Sequence, residues 1–199
     1  MTPDGFAKLA GVSRETLERL QAYVALLITW NRRINLVGAN TIGDVWRRHI
    51  LDSAQLMPLL PEGTRVLVDV GSGAGLPGLI LAILGVPEVH LVESDQRKAA
   101  FLREAQRVTV APVTIHGQRL ERLAPIAADA IVARAVAPVD NLLLMVDKFR
   151  RPHTICLFLK GKGVEEELTI LPPALKKMKA RILPSRSDPT GRILRLEGP

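Results

Sequence analysis

The stretch Val66-Leu67-Val68-Asp69-Val70, followed by glycines at 71, 73, 75 and 78, constrains this chain more than any other. Four apolar residues around one acid suit a strand buried on both faces, and the glycines suit a turn whose backbone must come close to a ligand. Pro77 fits the first turn of a helix, where its missing N–H costs nothing, and Gly78 to Leu84 continues that helix. The stretch therefore predicts strand, glycine loop and helix in succession. A second apolar run, Val89 to Val92, ends in Glu93, 22 positions beyond Gly71. That spacing sets a carboxylate at the end of the second strand, where it can grip the two hydroxyls of a bound ribose.

Two cofactors compete for such a loop. Gly73-x-Gly75-x-x-Gly78 matches the dinucleotide fingerprint of NAD(P)-binding oxidoreductases, whereas Gly71-x-Gly73-x-Gly75 matches the loop that holds S-adenosylmethionine (SAM). Asp69 favours SAM, because a carboxylate just ahead of the loop repels a pyrophosphate but suits a ligand carrying an ammonium and a sulfonium. The bland alternative is a glycine turn that only closes a strand-helix corner, and the acid at Glu93 argues against it.

At 199 residues with 47% apolar content, the chain can bury one substantial core. A helical extension over residues 1–60 and an α/β core over 61–199, forming one compact unit, is the expected organisation. Lys and Arg number 27 against 20 Asp and Glu, a formal charge of +7, and an excess of this sign favours polyanions such as nucleic acid. The single cysteine, Cys156, excludes an internal disulfide and a cysteine-based zinc site, and no metal is expected. It lies in an apolar run, where a small buried residue is a better reading than a nucleophile. The first residues lack the basic then apolar pattern of a signal peptide, and no stretch is long and apolar enough to span a bilayer, so a cytoplasmic protein is expected.

Ser13 is a candidate N-cap for a helix whose apolar face is Leu17, Leu20, Val24, Leu27 and Ile28. It ends near Trp30 to Leu36, where Asn31 and Asn35 stand beside two arginines. A second helix is expected after Asp44 and up to Pro58, with His49 and Asp52 on one face, for which a surface pair or cap is the bland reading. Helix 96–102, strand 113–117 and the start of a turn at Gln118 to Glu121 follow. Strand 128–135 is closed by Arg134 and strand 153–162 by Lys160, so two parallel strands deliver cations to one rim, which suggests an anionic or electron-rich substrate. A helix over Glu165 to Leu171 and two strands, with lysines clustered before the penultimate one, complete the chain. The alternation predicts a doubly wound sheet.

The words Trp30-Asn31-x-x-x-Asn35-Leu36, Arg48-His49-x-x-Asp52-Ser53, Asp69 to Gly78, Glu93-Ser94, Phe101-Leu102, Arg134-Ala135 and Leu159-Lys160-Gly161 occur in this order over about residues 20–163. In them the chain resembles the bacterial small-subunit ribosomal RNA methyltransferase G family, formerly called glucose-inhibited division protein B. The resemblance implies a class I SAM-dependent methyltransferase fold, a Rossmann-like doubly wound sheet with an N-terminal helical extension. It implies methylation of N7 of guanine 527 in the 530 loop of 16S ribosomal RNA, with the RNA or the small subunit as partner; the sequence does not fix the oligomeric state, for which a monomer is the expectation. Carried onto this sequence, the cofactor contacts are Gly71, Leu76, Leu120, Glu121 and Arg134, to which Asp69, Gly73, Gly75 and Glu93 are added on the arguments above. Arg134 and Lys160 are the catalytic candidates, and Asn31, Asn35, Arg48, His49, Asp52 and Lys162 the RNA-contact candidates. Beyond Lys162 the match is loose, which leaves RNA contacts there unassigned.

Guanine N7 carries a lone pair and no proton, so its methylation needs alignment and exclusion of water rather than a general base. The residues after strand 4, Ala135-Val136-Ala137-Pro138, lack the Asn/Asp-Pro-Pro-aromatic motif that grips an exocyclic amine. Arg134 or Lys160 can mark guanine O6, but a bidentate grip on O6 and N7 would block the reacting atom. Aromatic residues make up 4% of the chain, too few for a stacking platform, so RNA is expected to be held through phosphates and shape. A non-catalytic RNA-binding protein with a relic cofactor loop is the remaining alternative beside the oxidoreductase.

Overall fold

The computed structural model describes residues 1–134, 136–171 and 177–198. Seven strands form one sheet in the order β3-β2-β1-β4-β5-β7-β6. These are β1 (Val66–Val70), β2 (Glu88–Val92), β3 (Val113–His116), β4 (Ala130–Arg134), β5 (Ile155–Lys160), β6 (Lys179–Pro184) and β7 (Arg192–Glu197). The first five pair in parallel, while β7 runs antiparallel to both β5 and β6. Because β1 has β2 on one side and β4 on the other, the chain reverses direction across the sheet there, and a crevice opens at the carboxyl ends of these strands. The glycine loop and Arg134 both lie at that crevice.

Alternation along the strands divides the core in two. Leu67, Val89, Leu91, Val132 and Leu157 join α2 (Arg14–Asn31), α4 (Gly78–Ile83) and α5 (Gln96–Thr109) on one face. Val68, Val70, Ile131, Cys156 and Phe158 join α6 (Val139–Val146) and α7 (Val164–Thr169) on the other. Cys156 is fully buried, which pushes its thiol up to about 12 and leaves it inert, as the sequence suggests.

The N-terminal region departs from expectation twice. A helix α1 (Pro3–Ala10), capped by the Thr2 side chain and ended by Gly11 in a left-handed conformation, precedes the expected one. It is hard to read in the sequence because Phe6 is its only buried residue. Second, the single helix expected after Asp44 is broken into a 3-10 segment (Ala39–Asp44), a π-helical turn (Trp46–Leu51), a short α3 (Asp52–Ala54) and a 3-10 turn (Met57–Leu59). Trp46, His49, Ile50 and Leu51 are all buried within the π turn, more than one face of a regular helix turns inward. Such widened turns recur at functional sites, and this one carries Arg48 and His49. α2 begins as expected, with the Ser13 hydroxyl accepting from the Thr16 N–H at 3.1 Å.

Side-chain contacts bind the helical region to the rest of the chain. Among them, the buried Tyr23 hydroxyl donates to the Ala74 carbonyl in the glycine loop at 2.7 Å, and Gln55 Oε1 accepts the Arg186 N–H of the loop between β6 and β7 at 2.7 Å. Of the lysines expected to cluster before the penultimate strand, Lys176 lies outside the described residues, Lys177 is exposed and Lys179 belongs to β6. No helix among the described residues is long and apolar enough to cross a membrane.

Candidate functional site

The loop after β1 takes its shape from three glycines with positive φ, at +66° for Gly71, +54° for Gly73 and +80° for Gly75. They serve different ends. A Cβ on Gly71 would stand 2.8 Å from a Val136 methyl and one on Gly75 2.8 Å from the Leu79 Cβ, whereas at Gly73 the space is open and only the backbone conformation demands glycine. Glu93, at the end of β2, holds the loop from the side: Oε2 accepts the Gly73 N–H at 2.8 Å and Oε1 the Asp95 N–H at 2.8 Å. Each oxygen keeps a lone pair, and the carboxylate lines two recesses at once.

Asp69 stands elsewhere than the sequence suggests. It is fully buried, with Oδ2 accepting the Gly78 N–H at 3.0 Å, and it lines none of the cavities at the crevice. The reason is the strand's period of two, which turns Asp69 toward α4 and places Gly78 where a Cβ would meet it at 2.6 Å. Burial raises its pKa to about 7, opposed by the hydrogen bonds it accepts. Its Oδ1 has no hydrogen-bond partner among the described residues.

The two recesses share Gly71, Glu93 and Val136. The larger, about 390 Å³, adds Gly73, Leu76, Lys98 and Arg134, and the smaller, about 170 Å³, adds Leu120, Glu121 and Met145. This arrangement fits SAM. Leu120, Val136 and Met145 make an apolar slot suited to a purine, and Glu93 stands between the recesses where a ribose would bridge them.

Arg134 and Gly38 line both the larger recess and a further cleft of about 470 Å³. Arg48, His49, Asp52, Lys160, Ser187 and Asp188 also line this cleft. Arg134 Nη1 donates to His49 Nδ1 at 3.0 Å and lies 3.5 Å from Asp52 Oδ2. Since an arginine can only donate, His49 carries its hydrogen on Nε2 and gives it to Thr41 Oγ1 at 2.7 Å, while the Thr41 hydroxyl donates to the Gly38 carbonyl at 2.6 Å. Burial, then the charges of Arg134 and Arg48, lower the His49 pKa to about 3, so the ring is neutral. Burial raises that of Asp52, opposed by the Ser187 hydroxyl and by Arg134. Arg48 pairs with Asp188, whose pKa falls to about 2 chiefly through the Thr190 backbone N–H and then Arg48.

Lys160 lines the cleft but is not free there. Its ammonium donates to the Ala137 carbonyl at 2.9 Å and pairs with Glu167 at 2.8 Å, and the same Glu167 oxygen accepts the Val139 N–H at 2.7 Å. Lysine and glutamate together brace the segment that carries Val136 over Gly71. Asn31 is likewise occupied: its Oδ1 accepts the N–H groups of Leu36 and Val37, both at 2.9 Å, closing the turn after α2. Asn35 is exposed on that turn, and Lys162 is exposed between Gly161 and Gly163, which line the cleft. Ala135, part of one matched word, lies outside the described residues. Thr41, Glu167, Ser187 and Asp188 escape sequence reasoning. The one available signal is the polar connection 185–191, longer than the usual hairpin turn.

The fold and the site define a class I SAM-dependent methyltransferase. Solved structures of similar fold include a ribosomal protein L11 methylase from Lactobacillus delbrueckii subsp. bulgaricus, with TM-score 0.60, 14% identity and coverage of 73% of this chain and 76% of that one. Another is TYW2 of M. jannaschii in complex with AdoMet, with TM-score 0.59, 14% identity and coverage of 84% and 80%. The model of the family described as rRNA small subunit methyltransferase G matches residues 16–186, and the chain belongs to that family. Relatives named ribosomal RNA small subunit methyltransferase G are 60% identical in Rhodospirillum centenum, over 96% of this chain and 88% of the relative, and 53% identical in Paramagnetospirillum magneticum, over 98% and 95%.

Proposed function

We propose that the protein transfers a methyl group from SAM to N7 of guanine 527 in the 530 loop of 16S ribosomal RNA. Family membership supports SAM-dependent methylation of small-subunit rRNA, over an oxidoreductase or a relic binding module. One observation carries the choice of atom: no acid or imidazole among the described residues of the cleft is placed to take a proton. Asp52 is engaged through both oxygens, Arg134 occupies His49 Nδ1, Glu167 is held by Lys160 and Val139, and Asp188 is paired with Arg48. A nucleophile without a proton to lose suits such a site.

SAM, when bound, supplies a methyl group on a positively charged sulfur, the electrophile such a lone pair attacks. Gly71, Gly73, Gly75 and Leu76 would hold its amino-acid end, Glu93 its ribose, and Leu120 and Glu121 its adenine, with Asp69 acting from beneath through Gly78. Arg134, between recess and cleft, orients the guanine by donating to O6, while Lys160 fixes the segment above Gly71 and keeps water out. Arg48 and the exposed Asn35 and Lys162 meet the RNA backbone. Residues 1–60 form the outer wall and 61–199 the core of one unit, supported by the Tyr23 bond to the glycine loop. It acts as a monomer in the cytoplasm.

Product chemistry tests the reading. Methylation at N7 gives the imidazole ring a fixed positive charge, so 16S rRNA treated with enzyme and SAM, reduced and exposed to aniline, is expected to break at one site in the 530 loop. Methyl incorporation resistant to scission would overturn the N7 assignment. Methylation should also fall steeply with added salt while SAM binding changes little, because phosphate contacts release counterions.

A further inference from the structure

The loop between β6 and β7 contains a buried hydrogen-bond chain that no binding role so far described uses. Ser187 is 2% exposed and its hydroxyl donates to Asp52 Oδ1. With that proton committed, Ser187 Oγ accepts from Ser185 Oγ at 2.9 Å, and Ser185 Oγ in turn accepts from the Gln55 amide at 3.0 Å. Gln55 closes the circuit: its Nε2 also donates to Asp52 Oδ1 at 3.0 Å, and its Oε1 accepts the Arg186 N–H at 2.7 Å. Every donor in the circuit points toward Asp52, whose other oxygen faces Arg134 at 3.5 Å. Chains of this kind polarise one another and fix the orientation of the group at their end.

The loop itself is held in shape. Ser185 N–H reaches the Gly191 carbonyl at 3.2 Å, Gly191 N–H the Asp188 carbonyl at 3.0 Å, and a Cβ on Gly191 would meet that of Ser185 at 2.9 Å. Its position reaches Asp52 directly through the Ser187 hydroxyl and indirectly through Gln55.

We propose that Ser187 is a positioning residue for methyl transfer, acting through Asp52 to hold Arg134 at the junction of cofactor recess and substrate cleft. This rests on the reading of Arg134 as the group that orients the base. The charged and titratable groups around Asp52 are Arg134 from β4, Arg48 and His49 from the π turn, and Asp188 from the same loop as Ser187. Removing the hydroxyl takes a stabilising donor from the Asp52 carboxylate, so the carboxylate is expected to protonate at higher pH and release Arg134 there.

The test compares wild type, Ser187→Ala and Ser187→Thr on 16S rRNA, with melting curves to confirm folding. Ser187→Ala is expected to lower kcat about tenfold, the scale of one hydrogen bond to a charged group, with KM for RNA and Kd for SAM nearly unchanged. Its acid limb of activity is expected to move to higher pH, and Ser187→Thr, which keeps the hydroxyl, to restore both. An unchanged kcat and acid limb in Ser187→Ala would overturn the proposal. So would a rise in KM alone, which would make the loop an RNA contact only, or a folded Ser187→Thr as impaired as Ser187→Ala. Wild-type methylation without aniline scission would instead fault the functional reading and leave the kcat comparison intact.

Discussion

The glycine loop and the substrate cleft meet at Arg134 but are built on opposite plans. The loop is local: β1, three glycines and Gly78 lie within 13 consecutive residues, 66–78, and the contacts are backbone N–H groups on Asp69 and Glu93. The cleft is assembled from the π turn, the ends of β4 and β5, α7 and the loop after β6, and side-chain pairs such as Arg134–His49, Arg134–Asp52 and Lys160–Glu167 join these parts. A backbone cradle is specified by where side chains are missing. A polar cleft is specified by which distant side chains satisfy one another.

Five substitutions test this contrast, four within the two regions and one outside them. The largest effect is expected at the junction: Arg134→Ala should lower methylation by about a hundredfold or more, the scale for losing a donor aimed at the reacting group, read as aniline scission with SAM binding measured beside it. Near-normal scission would mean that the two regions do not meet through this residue.

Gly78→Ala tests the loop alone. The added methyl would stand 2.6–2.7 Å from Asp69 and Leu91, and overpacking of this kind costs about 1–3 kcal/mol. Denaturant unfolding should register that loss together with weaker SAM binding. Unchanged stability would show that Asp69 is freer than its burial implies.

A pH series separates the halves because their buried titratable groups act with opposite sign. Asp69 ionises ordinarily at 3.8 but near 7 when folded, so between these values the folded chain keeps a proton the unfolded chain has lost, and stability falls as pH rises. His49 ionises ordinarily at 6.5 but near 3 when folded, so between these values the unfolded chain binds the extra proton, and stability rises with pH. Relative to wild type, Asp69→Asn should therefore give unfolding free energies that climb more steeply from pH 4 to 7. His49→Gln should give the reverse from pH 3 to 6.5. Matching slopes in both variants would break the contrast.

The smallest effect lies far from both regions. Val110 ends α5 with φ of +51° and is exposed, a conformation costly for a β-branched side chain. Val110→Gly is expected to stabilise the fold by up to about 1 kcal/mol without altering methylation, measured by thermal unfolding and scission together.

Much of this was legible in the chain. Alternating apolar runs marked the five parallel strands to within a few residues, since strands buried on both faces must be apolar, and a glycine loop leaves its signature wherever a side chain cannot fit. The resemblance that runs from Trp30 to Gly161 brought Arg48, His49, Asp52, Arg134 and Lys160 into one list, and they do share one cleft. What single residues do there was not legible. Asp69 reads as a ligand contact until the strand's alternation turns it toward α4, Lys160 as a free cation until Glu167 pairs with it, and Asn31 as an RNA contact until it closes its own turn. Sequence determined the elements and the residue types at the crevice, because periodicity and missing side chains are local properties. Only the tertiary structure decided which charges remain available, because burial and partners such as Glu167, Ser187 and Asp188 come from segments tens of residues away.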